Sequence, residues 1–282
     1  MARPEEKIKL LKSKANQMRK LIVRMLAKAA SGHPGGSLSS ADIIAALYFS
    51  VMRHDPRDPC WGDRDRFHLS KGHCCPALYA ALSLCGYFPE EKLLTLRALG
   101  SMLQGHPDRK VPGVEVASGS LGQGLSISVG MSLAAKMDKK DWRVYCLMGD
   151  GELQEGNIWE AAMSAAHFKL DNLCGIVDFN RFQIDGRTEA VMNLEPLVNK
   201  WEAFGWHVME CDGHNIEELL GAFDKAKFIK LKPTVIIAHT VKGKGVSFME
   251  HVVDFHGRAP TEQERDIALA ELADIEKDEE KL

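Results

Sequence analysis

The sequence predicts an α/β protein built on a doubly wound, mostly parallel sheet with helices on both faces. Two observations carry this expectation. Four short, mostly apolar runs, at residues 144–148, 173–179, 206–211 and 234–238, have the length and hydrophobicity of strands in a parallel sheet. Segments with helical patterning, at 159–168, 197–204 and 216–228, separate them, and this alternation is the signature of parallel strands joined by helical crossovers. In such sheets ligands bind beyond the carboxyl ends of the strands.

Taken in order, the chain begins with an amphipathic helix. Leu11, Ala15, Met18, Ile22, Met25 and Ala29 step by four and three, with Lys and Arg between them. Ser31-Gly32-His33-Pro34-Gly35-Gly36 reads as a break and a tight turn. Ser40 is placed to cap a helix through Ile43, Ile44, Leu47 and Phe49. Residues 66–69 form a short extended candidate, 77–84 a helix, 105–124 a loop-rich stretch and 125–137 another helix. After the alternating region, residues 261–282 form a charged acidic tail, expected to be a peripheral helix or a frayed end. No repeat, low-complexity tract or linker interrupts the chain, so residues 1–282 read as one domain.

Composition excludes several classes. Of the 282 residues, 45% are hydrophobic and 27% charged, with a net charge of −3, which gives no field directed at nucleic acid or an anionic membrane. The seven cysteines form no CxxC pair, which argues against a disulfide framework or a zinc site. The charged start lacks an apolar signal core, and no run of ~18 apolar residues is present. A cytoplasmic protein with reduced thiols is expected.

The most informative segment runs from Gly149-Asp150-Gly151 to Asn180. Asp150 follows one expected strand and Asn180 the next, one crossover later, so both side chains should reach the same crevice. One carboxylate, one amide oxygen and a nearby carbonyl suit a hard cation such as Mg²⁺, whose remaining ligands come from phosphates and water. The flanking glycines let the backbone approach a diphosphate. The competing reading is an ordinary Gly-Asp-Gly turn and a strand-end Asn cap.

Gly149-Asp150-Gly151-Glu152-Leu153-Gln154-Glu155-Gly156, with Asp178-Phe179-Asn180-Arg181-Phe182-Gln183-Ile184-Asp185-Gly186, resembles the thiamine diphosphate motif in its transketolase form. Further blocks match transketolases in the same order: Ser31 to Gly35, Leu69 to His73, Gly105-His106-Pro107, Ser118 to Gly124 and His256-Gly257. The resemblance covers nearly the whole chain but only about half of an ordinary transketolase, the N-terminal thiamine diphosphate-binding part. It implies that Asp150, Asn180 and the Phe182 carbonyl hold Mg²⁺, for which Ca²⁺ or Mn²⁺ could substitute. It places Gly151, His73, Lys242 and His256 near the diphosphate, and the Gly119-Ser120-Leu121 backbone near the aminopyrimidine. His33, His106 and His256 would line the donor sugar and move protons. Glu155 and Glu160 would sit at a subunit interface.

Two positions depart from the family pattern, Gly36-Ser37 and Phe255, and both bear on substrate preference. No site role is assigned to His54, His68, His167, His207, His214, His239 or His251. A Cys74/Cys75 nucleophile beside His73 and a dinucleotide fingerprint at Gly122-Gln123-Gly124 are the weaker readings of those segments.

The implied activity is ketol transfer from a ketose phosphate to an aldose phosphate, in the manner of the pentose phosphate pathway. The implied partner is a second polypeptide carrying the pyrimidine-binding domain, in two copies of each chain. Alternatives are a 2-oxo acid dehydrogenase alpha chain, a deoxyxylulose phosphate synthase, or a non-catalytic transketolase-like module.

Overall fold

A computed structural model of the chain describes residues 4–280. Five strands form its sheet: β1 (Arg66–Leu69), β2 (Val144–Gly149), β3 (Leu173–Phe179), β6 (His207–Asp212) and β7 (Thr234–His239). A two-stranded antiparallel hairpin, β4 (Phe182–Gln183) and β5 (Gly186–Arg187), lies beside it. The five-stranded order is β1-β2-β3-β7-β6 and every pair is parallel. The 66–69 candidate is therefore an edge strand of the main sheet.

The helices are α1 (Pro4–Ala29), α2 (Pro34–Ser39), α3 (Ala41–Ala46), α4 (Cys75–Cys85), α5 (Gln123–Met137), α6 (Gly156–His167), α7 (Thr188–Val191), α8 (Leu197–Ala203), α9 (Ile216–Phe228) and α10 (Glu262–Glu280). Alternate strand residues face two separate cores. Tyr145, Leu147, Cys174, Ile176 and Ile236 pack with α1, α3, α4 and α9 on one face. Val144, Cys146, Met148, Val177 and Ile237 pack with α5, α6 and α8 on the other. The crossover from β2 to β3 uses α6, and the return from β6 to β7 runs in the opposite direction through α9 on the opposite face. This is what right-handed crossovers require when the direction of travel reverses. Asn215 caps α9 by accepting from the Glu217 and Glu218 amides at 3.0 and 3.3 Å.

Two sequence expectations are corrected and a third is narrowed. The His-Pro-Gly-Gly turn is the start of helix α2, entered through Pro34 at its first turn and buried throughout; Pro is tolerated there because that N–H needs no helical partner. Ser40 does not cap α3 with its side chain, and its hydroxyl donates instead to the Gly36 carbonyl at 2.6 Å. Of the two readings of the tail, a helix on the surface and a frayed end, the first is found over Glu262–Glu280. Helix α10 packs along α1, with Ala268 and Leu272 fully buried and the Asn16 side chain donating to the Leu272 carbonyl at 2.9 Å. Residues 281–282 of that tail lie outside the described part. Among the described residues no helix is long and apolar enough to cross a membrane.

Candidate active site

The carboxyl ends of β1, β2, β3 and β7 open onto one cavity of about 370 Å³. Each contributes side chains directly from its exit: Lys71 and His73 after β1, Asp150 after β2, Asn180 and Phe182 after β3, and Lys242 after β7. His33 enters from the start of α2, His106 and Gly119 from the long loop before α5, and His256 from a short 3-10 turn at Val253–His256. Thus residues spread over the whole sequence converge, including His33, His73, His106, Gly119, Leu121, Asp150, Gly151, Asn180, Phe182, Lys242 and His256. Ser120 is exposed and does not line the cavity. Glu155 lines its rim and is exposed, as is Glu160.

Three histidine rings form a cluster. His33 meets His73 edge-on with centroids 5.1 Å apart, and His73 stacks on His256 at 5.3 Å. The Lys242 ammonium donates to Nδ1 of His256 at 3.0 Å, which leaves Nε2 as that ring's N–H donor. Burial, reinforced by the charge of Lys242, lowers the His256 pKa to about 3. Burial, then Arg97 and His106, lowers His33 to about 4. His73 is driven well below its ordinary value by burial and Lys71, and His106 is lowered by burial and Arg97. All four are therefore neutral imidazoles near pH 7, each able to accept with one nitrogen and donate with the other.

Asp150 is buried, and its carboxylate accepts from the backbone amides of Gly151, at 2.8 Å, and Arg181. Burial, with the nearby charge of Asp178, pushes its pKa up to about 7. Asn180 is oriented unambiguously: its Nδ2 donates to Asp178 at 2.9 Å, so its Oδ1, which accepts from the Phe182 amide at 3.1 Å, is the oxygen turned to the other side. An oxygen-only set of one carboxylate, one amide oxygen and the Phe182 carbonyl fits a hard divalent cation. No group of three or more His, Cys, Asp or Glu residues forms a metal site among the described residues, which is what a set with a single carboxylate gives.

The sequence patterns assign no role to the buried charges beneath this cavity. Lys71 and Asp178 form an ion pair with both side chains almost fully buried, and Asp178 also accepts from Ser39 at 2.7 Å and from Thr240. Lys71 and these hydroxyls hold the Asp178 carboxyl below the usual range against the opposing effect of burial. This network fixes the Asn180 amide. Glu152 accepts from Gly122 N–H at 2.9 Å, Gly149 N–H at 3.0 Å and the Ser70 hydroxyl, joining three of the segments that form the cavity wall. A carboxylate inside the apolar β3 run is the available signal for Asp178, because a charge in such a strand must be paired.

Of the two departures from the family pattern, Gly36 lines the cavity and Phe255 does not. A Cβ at Gly36 would stand 2.6 Å from the Cys74 sulfur. Phe255 is buried against Phe248 and Arg258 and does not line the cavity. Burial raises the Cys74 and Cys75 thiols, opposite to what a nucleophile needs. Gly122 follows no strand and has a left-handed backbone (φ 85°) beside Glu155, so the dinucleotide reading has no strand–turn–helix to stand on.

Comparison with known proteins agrees with this geometry. Residues 11–273 match the family described as transketolase, thiamine diphosphate binding domain. The chain is 50% identical to the 6-deoxy-6-sulfo-D-fructose transketolase subunit of Clostridium sp. (strain MSTE9), over 93% of this chain and 96% of that one. It is 47% identical to an apulose-4-phosphate transketolase subunit of Phocaeicola vulgatus, over 96% of each. The crystal structure of transketolase from Campylobacter jejuni superposes with a TM-score of 0.89 at 38% identity, covering 94% of this chain and 43% of that chain. The chain thus spans nearly the full length of the two subunit relatives and less than half of the C. jejuni transketolase. The chain belongs to the transketolase family and is a thiamine diphosphate-binding domain of it.

Proposed function

We propose that the chain is the N-terminal subunit of a two-subunit transketolase, moving a two-carbon ketol unit from a ketose to an aldose. The observation that carries this is the meeting, in one cavity at the strand ends, of four neutral histidines with the Asp150, Asn180 and Phe182 oxygen set. Carbanion chemistry at the donor carbonyl is what thiamine diphosphate supplies when bound. The chain's own residues bind, orient and move protons. Asp150, Asn180 and the Phe182 carbonyl would hold Mg²⁺, or Ca²⁺ or Mn²⁺ in its place. Lys242 and His73 would face the diphosphate, which the backbone at Gly151 can approach without a side chain intervening. The Gly119-Ser120-Leu121 backbone would meet the aminopyrimidine. His33, His106 and His256 would hold donor hydroxyls and exchange protons with the carbonyl and hydroxyl oxygens, His256 presenting its Nε2–H.

The pentose phosphate expectation is widened. The two subunit relatives are named for a sulfonated fructose and for apulose 4-phosphate, so the proposed donor is a ketose ending in phosphate or sulfonate. A partner chain carrying the pyrimidine-binding domain, in two copies of each, would cover the exposed apolar Leu121 and Ile184 at the cavity wall. Free thiols at all seven cysteines support a reducing, cytoplasmic setting. The test is to purify this chain and a partner carrying that domain, then assay ketol transfer with Mg²⁺ and thiamine diphosphate, offering fructose 6-phosphate and 6-deoxy-6-sulfofructose as donors. Activity that appears only on mixing, with a matching rise in solution mass, is expected. Substantial turnover by either chain alone would overturn the two-subunit reading.

A further inference from the structure

Lys242 sits in a segment without regular structure, between the end of β7 and the turn at Val253–His256. Its side chain is nevertheless almost fully buried, with the ammonium 3.0 Å from His256 Nδ1 and 3.4 Å from the Phe182 carbonyl. Backbone bonds hold Lys242 on its far side, its carbonyl accepting from the His251 amide and the Gly243 amide donating to the Gly35 carbonyl, each at 3.0 Å. On its near side a side chain does so: the Val241 amide donates to Nε2 of His214 at 2.8 Å.

His214 is fixed in turn. Its Nδ1 is 2.7 Å from the Asp42 carboxylate, which also receives both guanidinium nitrogens of Arg19. Because Val241 can only donate, Nε2 must accept; because Asp42 is held as a carboxylate by Arg19 and His214 against burial, Nδ1 must carry the proton. The pattern admits one neutral tautomer. The chain Arg19–Asp42–His214–Val241 therefore runs from α1 and α3 to the Thr240–Val241 peptide, one residue before Lys242. Two glycines make the approach possible. A Cβ at Gly213 would fall 2.4 Å from the Thr240 methyl, and one at Gly245, where φ is +89°, 3.2 Å from Arg19 Cδ.

We propose that His214 is a positioning residue for Lys242, setting the backbone from which the ammonium reaches its place between His256 and Phe182. The consequence for ligand binding rests on the reading of the cavity as a thiamine diphosphate site. The link to the segment does not, and the two are tested separately. His214→Asn keeps a donor near Nδ1 for Asp42 but has no atom to accept from Val241. His214→Gln places Oε1 near the Nε2 position and keeps that acceptor.

Hydrogen exchange of the full chain, without ligand or partner, reads the link. In His214→Asn the peptide covering residues 240–246 should exchange about tenfold faster, while a β3 peptide stays protected. His214→Gln should restore most of that protection. Calorimetric titration of thiamine diphosphate with Mg²⁺ into the chain assembled with its partner reads the consequence. The Asn variant should bind about tenfold more weakly and the Gln variant within about threefold of wild type. Equal exchange of residues 240–246 in all three proteins overturns the link. So does exchange raised uniformly across the chain, which a purely structural role would give. Raised local exchange with unaltered cofactor affinity overturns the positioning role. A wild-type complex that binds no thiamine diphosphate refutes the reading of the cavity, and the exchange result still decides the link.

Discussion

Removing Glu152 tests whether the cavity wall is held by one buried carboxylate. Its two oxygens serve three donors from three separate segments: the Gly149 amide at the end of β2, the Gly122 amide before α5, and the Ser70 hydroxyl after β1. Burial raises its pKa even though these bonds favour the ionised form, so desolvation outweighs them and holding the carboxylate ionised is itself unfavourable to the fold. What Glu152 provides is acceptance of two amides that have no alternative partner at hand. In Glu152→Gln one oxygen becomes a donor, and one of those amides must lose its acceptor, for about 1–3 kcal/mol. In Glu152→Ala both lose it, for about 2–6 kcal/mol. At about 2–4 °C per kcal/mol for a domain of this size, Gln should lower the Tm by about 5 °C and Ala by about 10–15 °C. The assay is circular dichroism melting of the purified chain, with hydrogen exchange of the 118–124 loop as the local readout. If both variants melted within about 1 °C of wild type with unchanged loop exchange, Glu152 would not be the clamp that its bonds imply.

Other outcomes follow from single residues. His68 is buried with no partner for either ring nitrogen, and burial lowers its pKa to about 4. The unfolded chain takes up that proton first, so stability is lost as pH falls from about 6.5 towards 4, by up to about 3 kcal/mol; urea titrations at pH 7.5 and 5.0 should show a smaller acid loss in His68→Leu. Gly36→Ala places a methyl 2.6 Å from the Cys74 sulfur and should cost about 1–3 kcal/mol. Adding Cys74→Ala should recover most of it, and an additive double mutant would count against the contact. Asp150→Ala should abolish Mg²⁺-dependent thiamine diphosphate binding by the assembled protein while leaving its circular dichroism unchanged, a separation of binding from folding that calorimetry can read directly.

Much of this was legible in the sequence because parallel strands buried on both faces must be continuous apolar runs. Residues 144–148, 173–179 and 234–238 lie within strands of the sheet, and 206–211 overlaps β6 with its start displaced by one residue. Most of the residues that meet in the cavity stand just past those strands or in glycine-bearing blocks, which is what singles them out in the sequence. The errors have physical causes. Gly35 and Gly36 resemble helix breakers, yet they lie in α2 because Phe255, Lys242 and Cys74 leave no room for a Cβ. Tertiary packing overrides intrinsic propensity there. Helix α10 does lie at the surface, as its charged composition implies, and what composition does not show is its docking on α1 through Ala268 and Leu272. Neither Glu152 nor His214 could be assigned a role from sequence, since their importance lies in partners 30 and 27 residues away.

The charges of the site divide into those already paired and those left for a ligand. Lys71 is neutralised by Asp178, so it stiffens the floor without offering a free cation. Lys242 is different: its partners are a neutral imidazole and a carbonyl, and it forms no ion pair with a carboxylate among the described residues. Asp150 is its counterpart, a buried carboxylate held only by backbone amides and pushed up towards neutral pH. Both are charges that a low-dielectric wall disfavours. A ligand that joins a divalent cation to a phosphate chain would satisfy both at once, the metal at Asp150 and the phosphate oxygens at Lys242. The same lysines act on the histidines. Burial first, and then the like charge of Lys71 beside His73 and of Lys242 beside His256, disfavour protonation, and both pKa values are lowered. The fold thereby keeps its imidazoles uncharged beside a buried lysine, the state in which a ring can donate with one nitrogen and accept with the other near pH 7. Cation and neutral base are assigned to different residues by burial and proximity, and neither assignment depends on the identity of the sugar.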